Sequence, residues 1–181
     1  MSWTKTKINE QLLMHHQEFN DLINAASSEV FEGFKSDSWS VGQIQNHILL
    51  SVKPIIMAMS LPKFLLRFQF GLTNRPSRTY EELVARYLKA LDGRNAVAPK
   101  QFIPKRINSK NRHKQTLKLN KSVQKLISIS NRWKESDLDL YVVPHPLIGK
   151  LTIREILYFT CYHVQHHKNQ IDTILTGENN Q

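Results

Sequence analysis

Apolar residues recur every three to four positions along most of this 181-residue chain, the spacing that places them on one face of an α-helix. Strand-like alternation is nearly absent, and only a short extended piece is expected at 138–143. The stretches 63–78 and 94–113 are polar or basic and are interpreted as connections. Long helices are therefore predicted over residues 5–32, 40–61, 114–135 and 152–177, and a short helix over 79–91.

Three of these helices begin with Ser or Thr followed three residues later by Gln or Glu, a spacing that predicts a capping box. The pairs are Ser40 with Gln43, Thr79 with Glu82, and Thr152 with Glu155. Pro54 lies inside the second helix and should kink it. Gly93 and Gly177 are expected to close the short helix and the last helix.

The number and order of the predicted helices define a fold class. A chain of this length can form one domain, residues 1–181, with a hydrophobic core of useful size. Four long helices and one short helix predict an all-α bundle, with the short helix and a long connection between the second and third long helices.

The net charge of 25 − 15 = +10 is unevenly distributed along the chain. No Asp or Glu occurs between Asp92 and Glu135, although this stretch holds twelve Lys or Arg residues. Such a block could attract nucleic acid, an acidic partner or an anionic substrate. An ordinary solvated surface is the preferred interpretation, because no helix-turn-helix, zinc-finger or aromatic-basic ribonucleoprotein motif accompanies the charge.

The cysteine content and the apolar stretches bear on the compartment. Cys161 is the one cysteine; it allows no internal disulfide and fits a reducing environment. Lys, Arg or Gln interrupts the longest apolar stretches, so no membrane span is expected. The N-terminal residues carry no apolar signal core. A cytoplasmic protein without membrane contact is therefore expected.

Three histidines crowd into five residues of the last predicted helix: His163, His166 and His167. Residues four apart share a helix face, so His163 and His167 stand one turn apart on a mostly apolar stripe that should point inward. His166 falls on the flank of that stripe. Cys161 lies about 200° around the helix from His163, which favours a small buried hydrophobe over a metal ligand.

A third inward imidazole would complete a metal site. Spacing alone does not choose between His47 of the second helix and His15 or His16 of the first. His113 and His145 lie in predicted loops and are interpreted as solvent-exposed or as lining the mouth of a site. Neutral imidazoles bind zinc and other divalent metals well. Three of them leave a tetrahedral position open for water, which is the pattern of a catalytic metal.

Two segments resemble the DinB-like superfamily of four-helix metalloproteins. Residues 39–47, Trp-Ser-Val-Gly-Gln-Ile-Gln-Asn-His, are similar to the opening of that family's second helix, and residues 145–171 are similar to its closing segment. The resemblance covers most of the chain and is closest to the branch of bacillithiol transferases and metal-dependent hydrolases. It implies an up-down-down-up bundle, commonly a homodimer, with a metal triad at His47, His163 and His167.

The same resemblance implies zinc, nickel or a similar divalent ion as cofactor and, in some members, a low-molecular-weight thiol such as bacillithiol or mycothiol. The first hypothesis is therefore a metal-dependent enzyme acting on a small-molecule substrate. With a thiol bound, the reaction would be S-transfer to an electrophile; with water, it would be hydrolysis. The basic residues at 94–121 would hold the carboxylates of an anionic thiol.

Two glutamines are further candidates. Gln43 and Gln170 lie on the ligand faces and could orient ligands or substrate, although a role at a helix end or a dimer contact is equally open. No carboxylate accompanies the histidines in sequence, so no general base is assigned. The second hypothesis is a non-enzymatic basic binding protein associated with a stress or DNA-damage response, whose surface would meet nucleic acid.

Overall fold

Eight helices and one short hairpin make up the part of the chain that the computed structural model describes, which is residues 2–33, 38–92 and 99–176. The predicted all-α class is confirmed. The helices are α1 Lys5–Ala25, α2 Ser28–Glu32, α3 Val41–Ser60, α4 Lys63–Phe70, α5 Tyr80–Asp92, α6 Arg112–Arg132, α7 Glu135–Leu140 and α8 Ile153–Thr176. The strands are β1 Val142–His145 and β2 Gly149–Thr152, and the 3-10 turns are Lys100–Phe102 and Ser109–Asn111.

The four long helices α1, α3, α6 and α8 form the bundle, in which α1 and α3 each pack against both α6 and α8. Side-chain hydrogen bonds join Asn9 to Asn131 at 2.8 Å and Asn20 to Asn120 at 2.7 Å. Residue numbers rise along α1 as they fall along α6, so these two helices are antiparallel.

Contacts of the other pairs fix the remaining directions. Gln45 donates to Thr116 at 2.9 Å, and the indole N–H of Trp133 donates to the Met59 carbonyl at 3.1 Å, so α3 and α6 are parallel. On α1 and α8, Ile8 contacts Cys161 and His15 contacts Gln165, so these helices are parallel too. The up-down-down-up order is therefore confirmed.

All three predicted capping boxes are present. In each, the cap hydroxyl accepts a hydrogen bond from the backbone N–H three residues later, and the side chain of that later residue accepts one from the N–H of the cap. They are Ser40 with Gln43, Thr79 with Glu82, and Thr152 with Glu155. Pro54 lies inside α3. Gly93 and Gly177, predicted to close two helices, and residues 94–98 of the predicted connection lie outside the described residues.

Three predicted boundaries are wrong. The first helix breaks at Ala26, because the Ser27 hydroxyl accepts a hydrogen bond from the Val30 N–H and starts α2 instead. Residues 63–78 were expected to be irregular, yet they contain α4, which starts after Pro62, ends at Phe70 and is capped by Gly71 with φ of 82°. That positive φ suits a residue without a Cβ.

The third error concerns residues 138–143, where an extended piece was expected. Leu138 lies in α7 instead, and its fully buried side chain packs into the core. The extended backbone begins at Tyr141 and continues into β1, which pairs antiparallel with β2 from Val142↔Thr152 to His145↔Gly149. Neither strand alternates buried with exposed residues, so the alternation that predicts a strand is missing here.

The first turn of α8 lies deep in the protein, although it contains Arg154 and Glu155. Glu155 is fully buried and accepts hydrogen bonds from the guanidinium of Arg75 at 2.6 and 2.8 Å. Arg154 bonds Asp139 at 2.6 and 2.9 Å. These paired charges anchor the start of the helix that carries two of the candidate ligands.

No single described helix is long and apolar enough to cross a membrane. Helices α3 and α4 pass that test only when taken together, and the chain bends by 111° between them.

Candidate metal centre

Three imidazoles converge between α3 and α8. His47 lies in the second turn of α3, and His163 and His167 lie one turn apart on α8. The Nε2 atom of His163 is 3.2 Å from Nε2 of His47 and 3.0 Å from Nε2 of His167. One nitrogen from each ring lies within 4.8 Å of the other two. The structure thus brings together the three residues at which the family resemblance implies a metal triad, and this cluster could hold a metal ion.

The remaining ring nitrogens determine which tautomers are present. Nδ1–H of His47 donates to the Phe102 carbonyl at 2.8 Å, and Nδ1–H of His167 donates to Oε1 of Gln170 at 2.7 Å. In a neutral imidazole the other nitrogen then carries a lone pair. The lone pairs of His47 and His167 therefore both point at Nε2 of His163, whose single proton can satisfy only one of them.

Burial keeps these rings neutral. They are 6–7% exposed. Burial, followed by the neighbouring imidazoles of His167 and His47, holds the pKa of His163 well below 6.5. Burial likewise lowers the pKa of His47, and with the neighbouring imidazoles it lowers the pKa of His167 to about 3. Neutral imidazoles are the form that binds metal, so at pH 7 a metal ion would not have to displace the extra proton of an imidazolium.

The donor set fits a divalent metal ion. Nitrogens about 2.0–2.1 Å from a tetrahedral zinc ion are about 3.3–3.4 Å apart, close to the observed separations of 3.0 and 3.2 Å. A metal ion would also accept all three lone pairs, which one proton cannot do. The contacts of His47 and His167 with a backbone carbonyl and a side-chain amide are those that commonly orient metal-binding histidines.

Three residues around the cluster were not predicted to belong to the site. Trp39 packs its half-buried ring against His47, with ring centroids 4.7 Å apart, and Phe159 stacks on His163 at 4.8 Å. Trp39 precedes the Ser40 cap, and this Trp-Ser pair was a usable signal. The Phe102 carbonyl carries no signal, because every residue has one.

The other histidines of the first and last helices do not point a ring nitrogen into the cluster. Nδ1–H of His15 donates to the Cys161 carbonyl at 3.2 Å, while Nδ1–H of His16 donates to the Leu12 carbonyl at 2.7 Å. Neither supplies a third ligand. His166 lies on the flank, as predicted, half-buried with its ring centroid 5.2 Å from that of His167.

The two histidines that were predicted to lie in loops lie in a helix and a strand. His113 is exposed but lies in the first turn of α6. His145 is buried in β1, where its Nδ1 accepts hydrogen bonds from the backbone N–H groups of Leu147 and Ile148 at 3.2 and 3.3 Å. That pairing closes the hairpin turn. The His145 ring packs against Phe159, which stacks on His163, so His145 is not a solvent residue but lies next to the surroundings of the cluster.

The two candidate glutamines have different contacts. Oε1 of Gln43 accepts the Ser40 N–H in the capping box, whereas Oε1 of Gln170 accepts Nδ1–H of His167. We expect Gln170→Leu to weaken zinc affinity by about 10-fold, the low end of the range for such partners, because water can reach the exposed Gln170 position. Competition titration with a chromogenic chelator measures this change.

Gln43→Ala is the matched control. It should lower the free energy of unfolding by about 1 kcal/mol through loss of half the capping box, while zinc affinity stays within about twofold of wild type. Equal zinc affinities for wild type and Gln170→Leu would show that Gln170 does not support His167.

The fold and the cluster together define a class of protein: an all-α bundle whose interior carries three histidines that could hold a metal ion. The sequence model of the DinB family matches residues 1–176, nearly the whole chain. The chain therefore belongs to the DinB family. A comparison with curated proteins finds no match.

Proposed function

We propose that this protein is a divalent-metal-dependent enzyme that transfers a low-molecular-weight thiol to a small electrophile. The observation that carries the proposal is the convergence of three neutral Nε2 atoms in one buried cluster. Three protein ligands leave a coordination position for an exchangeable molecule, as in catalytic sites. Zinc or nickel, bound there, would lower the pKa of a thiol or water toward neutral.

The nucleophilic sulfur would have to come from a second molecule. Burial raises the pKa of the Cys161 thiol, and its Sγ contacts the Ile8 carbonyl at 3.8 Å, on the side of α8 that faces α1. A protonated, enclosed thiol is a poor nucleophile. A cytoplasmic, reducing compartment would keep a low-molecular-weight thiol in its reduced form.

The segment beside the cluster favours an anionic thiol. The Phe102 carbonyl binds His47, and the backbone N–H of Lys105 donates to Oδ1 of Asn46 at 3.0 Å. Exposed Lys100 and Lys105 therefore belong to the segment that covers the start of α3. Their ammonium groups would pair with the carboxylates of a thiol such as bacillithiol or mycothiol.

Hydrolysis is the second candidate, because the same open position could take water. One experiment tests both hydrolysis and S-transfer. The zinc- and nickel-loaded protein is compared with the chelated protein, using a chlorodinitrobenzene electrophile and bacillithiol, mycothiol, glutathione or coenzyme A. We expect metal-dependent loss of one thiol, with a preference for bacillithiol or mycothiol. Turnover of ester substrates without any thiol would instead support the hydrolase.

Metal-independent rates with all four thiols would reject the transferase.

Assembly as a homodimer, which the family resemblance implies, stays a prediction that light scattering can test.

A further inference from the structure

A row of cations runs along the outer face of α6. Its members are exposed and follow one another at intervals of 4, 3, 4 and 7 residues. At 3.6 residues per turn, these intervals keep the side chains within about 60° of one another around the helix axis. Core residues such as Leu119 and Val123 occupy the opposite face. We call the set Lys114, Lys118, Lys121, Lys125 and Arg132 the α6 cation row.

The members of the α6 cation row take no part in the ion pairs of the described residues. Six ion pairs join described residues, and none of them includes a member of the row. No Asp or Glu occurs between Asp92 and Glu135 to supply a partner from the same segment. Lys100 and Lys110, in the turns before α6, add two exposed cations. A long line of positive charge whose members have no ion-pair partner among the described residues concentrates polyanions at the surface.

The length and chemistry of the row indicate which polyanion it suits. From Lys114 to Arg132 the helix rises about 27 Å, the length of about eight base pairs of duplex. Four of the five cations are lysines, whose ammonium groups act as compact point charges and lack the planar fork of arginine. Such a surface would contact phosphates without reading sequence.

We infer that the α6 cation row is a docking surface for the phosphodiester backbone of duplex nucleic acid. This inference goes beyond the proposed enzyme. The row faces outward on α6, whereas the histidine cluster lies between α3 and α8, so one molecule has room for both.

Fluorescence anisotropy with labelled duplexes of about 20 base pairs tests this inference, using the full chain and a salt series starting near 50 mM. We expect binding at low salt that weakens steeply as salt rises. The triple variant Lys118→Gln, Lys121→Gln, Lys125→Gln should bind at least about 10-fold more weakly. Its slope of log K against log salt should be shallower by about 2.7. Parallel DNA and RNA duplexes identify the preferred source of the phosphates.

The matched control removes the same charge elsewhere. Lys7, Lys53 and Lys89 are exposed on α1, α3 and α5, and replacing all three with Gln also takes the net charge from +10 to 10 − 3 = +7. Equal losses from the two triple variants would overturn the inference. So would absence of duplex binding near 50 mM salt, or equally tight binding of a polyglutamate of matched charge. Thermal unfolding confirms that both variants are folded.

Discussion

Stoichiometric metal binding is expected to disappear when His163 is replaced by alanine. His163 lies between the other two rings, and its Nε2 is the atom that both of their lone pairs face. Without His163, the imidazoles of His47 and His167 remain on two different helices. No third histidine of the cluster is then left to complete the metal site. We expect metal content to fall from about one ion per chain to near zero. The loss of metal affinity should exceed the 10- to 100-fold effect of replacing a residue that only orients a ligand.

The measurement is metal per chain by mass spectrometry, on protein purified without a histidine tag. His166→Ala is the control, because His166 is on the same helix but outside the cluster, and it should keep full metal content. Zinc at about 1,000 times its Kd should raise the unfolding free energy of wild type by about 4 kcal/mol. The same zinc should leave His163→Ala unchanged. Full metal content in His163→Ala would refute the triad.

Replacing Glu155 with Gln is expected to cost about 3 kcal/mol of unfolding free energy, the low end for breaking a buried ion pair. The carboxylate is fully buried and accepts hydrogen bonds from Arg75, from both the backbone and the side chain of Arg78, and from the Thr152 N–H. An amide nitrogen in place of one oxygen would face a guanidinium donor. Partial exposure of both arginines keeps the cost from being larger.

The same carboxylate predicts a pH dependence. Burial alone would raise the pKa of Glu155, but the hydrogen bonds from Arg75, Arg78 and Thr152 outweigh burial and hold it below its ordinary 4.5. A carboxyl group whose pKa is lowered by folding stabilises the protein fully above its unfolded pKa. That contribution is lost as the pH falls below about 4.5 toward the folded value.

Urea unfolding at pH 7 and across pH 3–5 measures both effects. Wild type should lose stability more steeply than Glu155→Gln in the acid range, because the variant lacks the titrating group. Glu18→Gln, at an exposed position of α1, should change the unfolding free energy by less than about 0.5 kcal/mol. Parallel acid curves for wild type and Glu155→Gln would mean that the carboxylate does not contribute as described.

Local sequence was sufficient for the four long bundle helices, for α5 and for the three capped helix starts, but it missed the short helices α2, α4 and α7. A capping box involves residues only three apart, such as Thr152 and Glu155, so its hydrogen bonds form wherever the helix forms. The same reasoning placed His163 and His167 on one inward face of α8. Local patterns failed at Ser27, whose hydroxyl interrupts a stretch that keeps helical periodicity on both sides.

The sequence by itself determined that two histidines share a helix face, because helical geometry fixes the positions of residues four apart. Only the tertiary structure decided that His47 completes the cluster, while His15 and His16 pair with backbone carbonyls. All of these rings are buried, and an inward face does not tell which facing helix a side chain meets. That choice depends on packing between His47 and His163, which are 116 residues apart in the sequence. The Phe102 carbonyl that holds His47 in place also comes from a separate segment, 55 residues away.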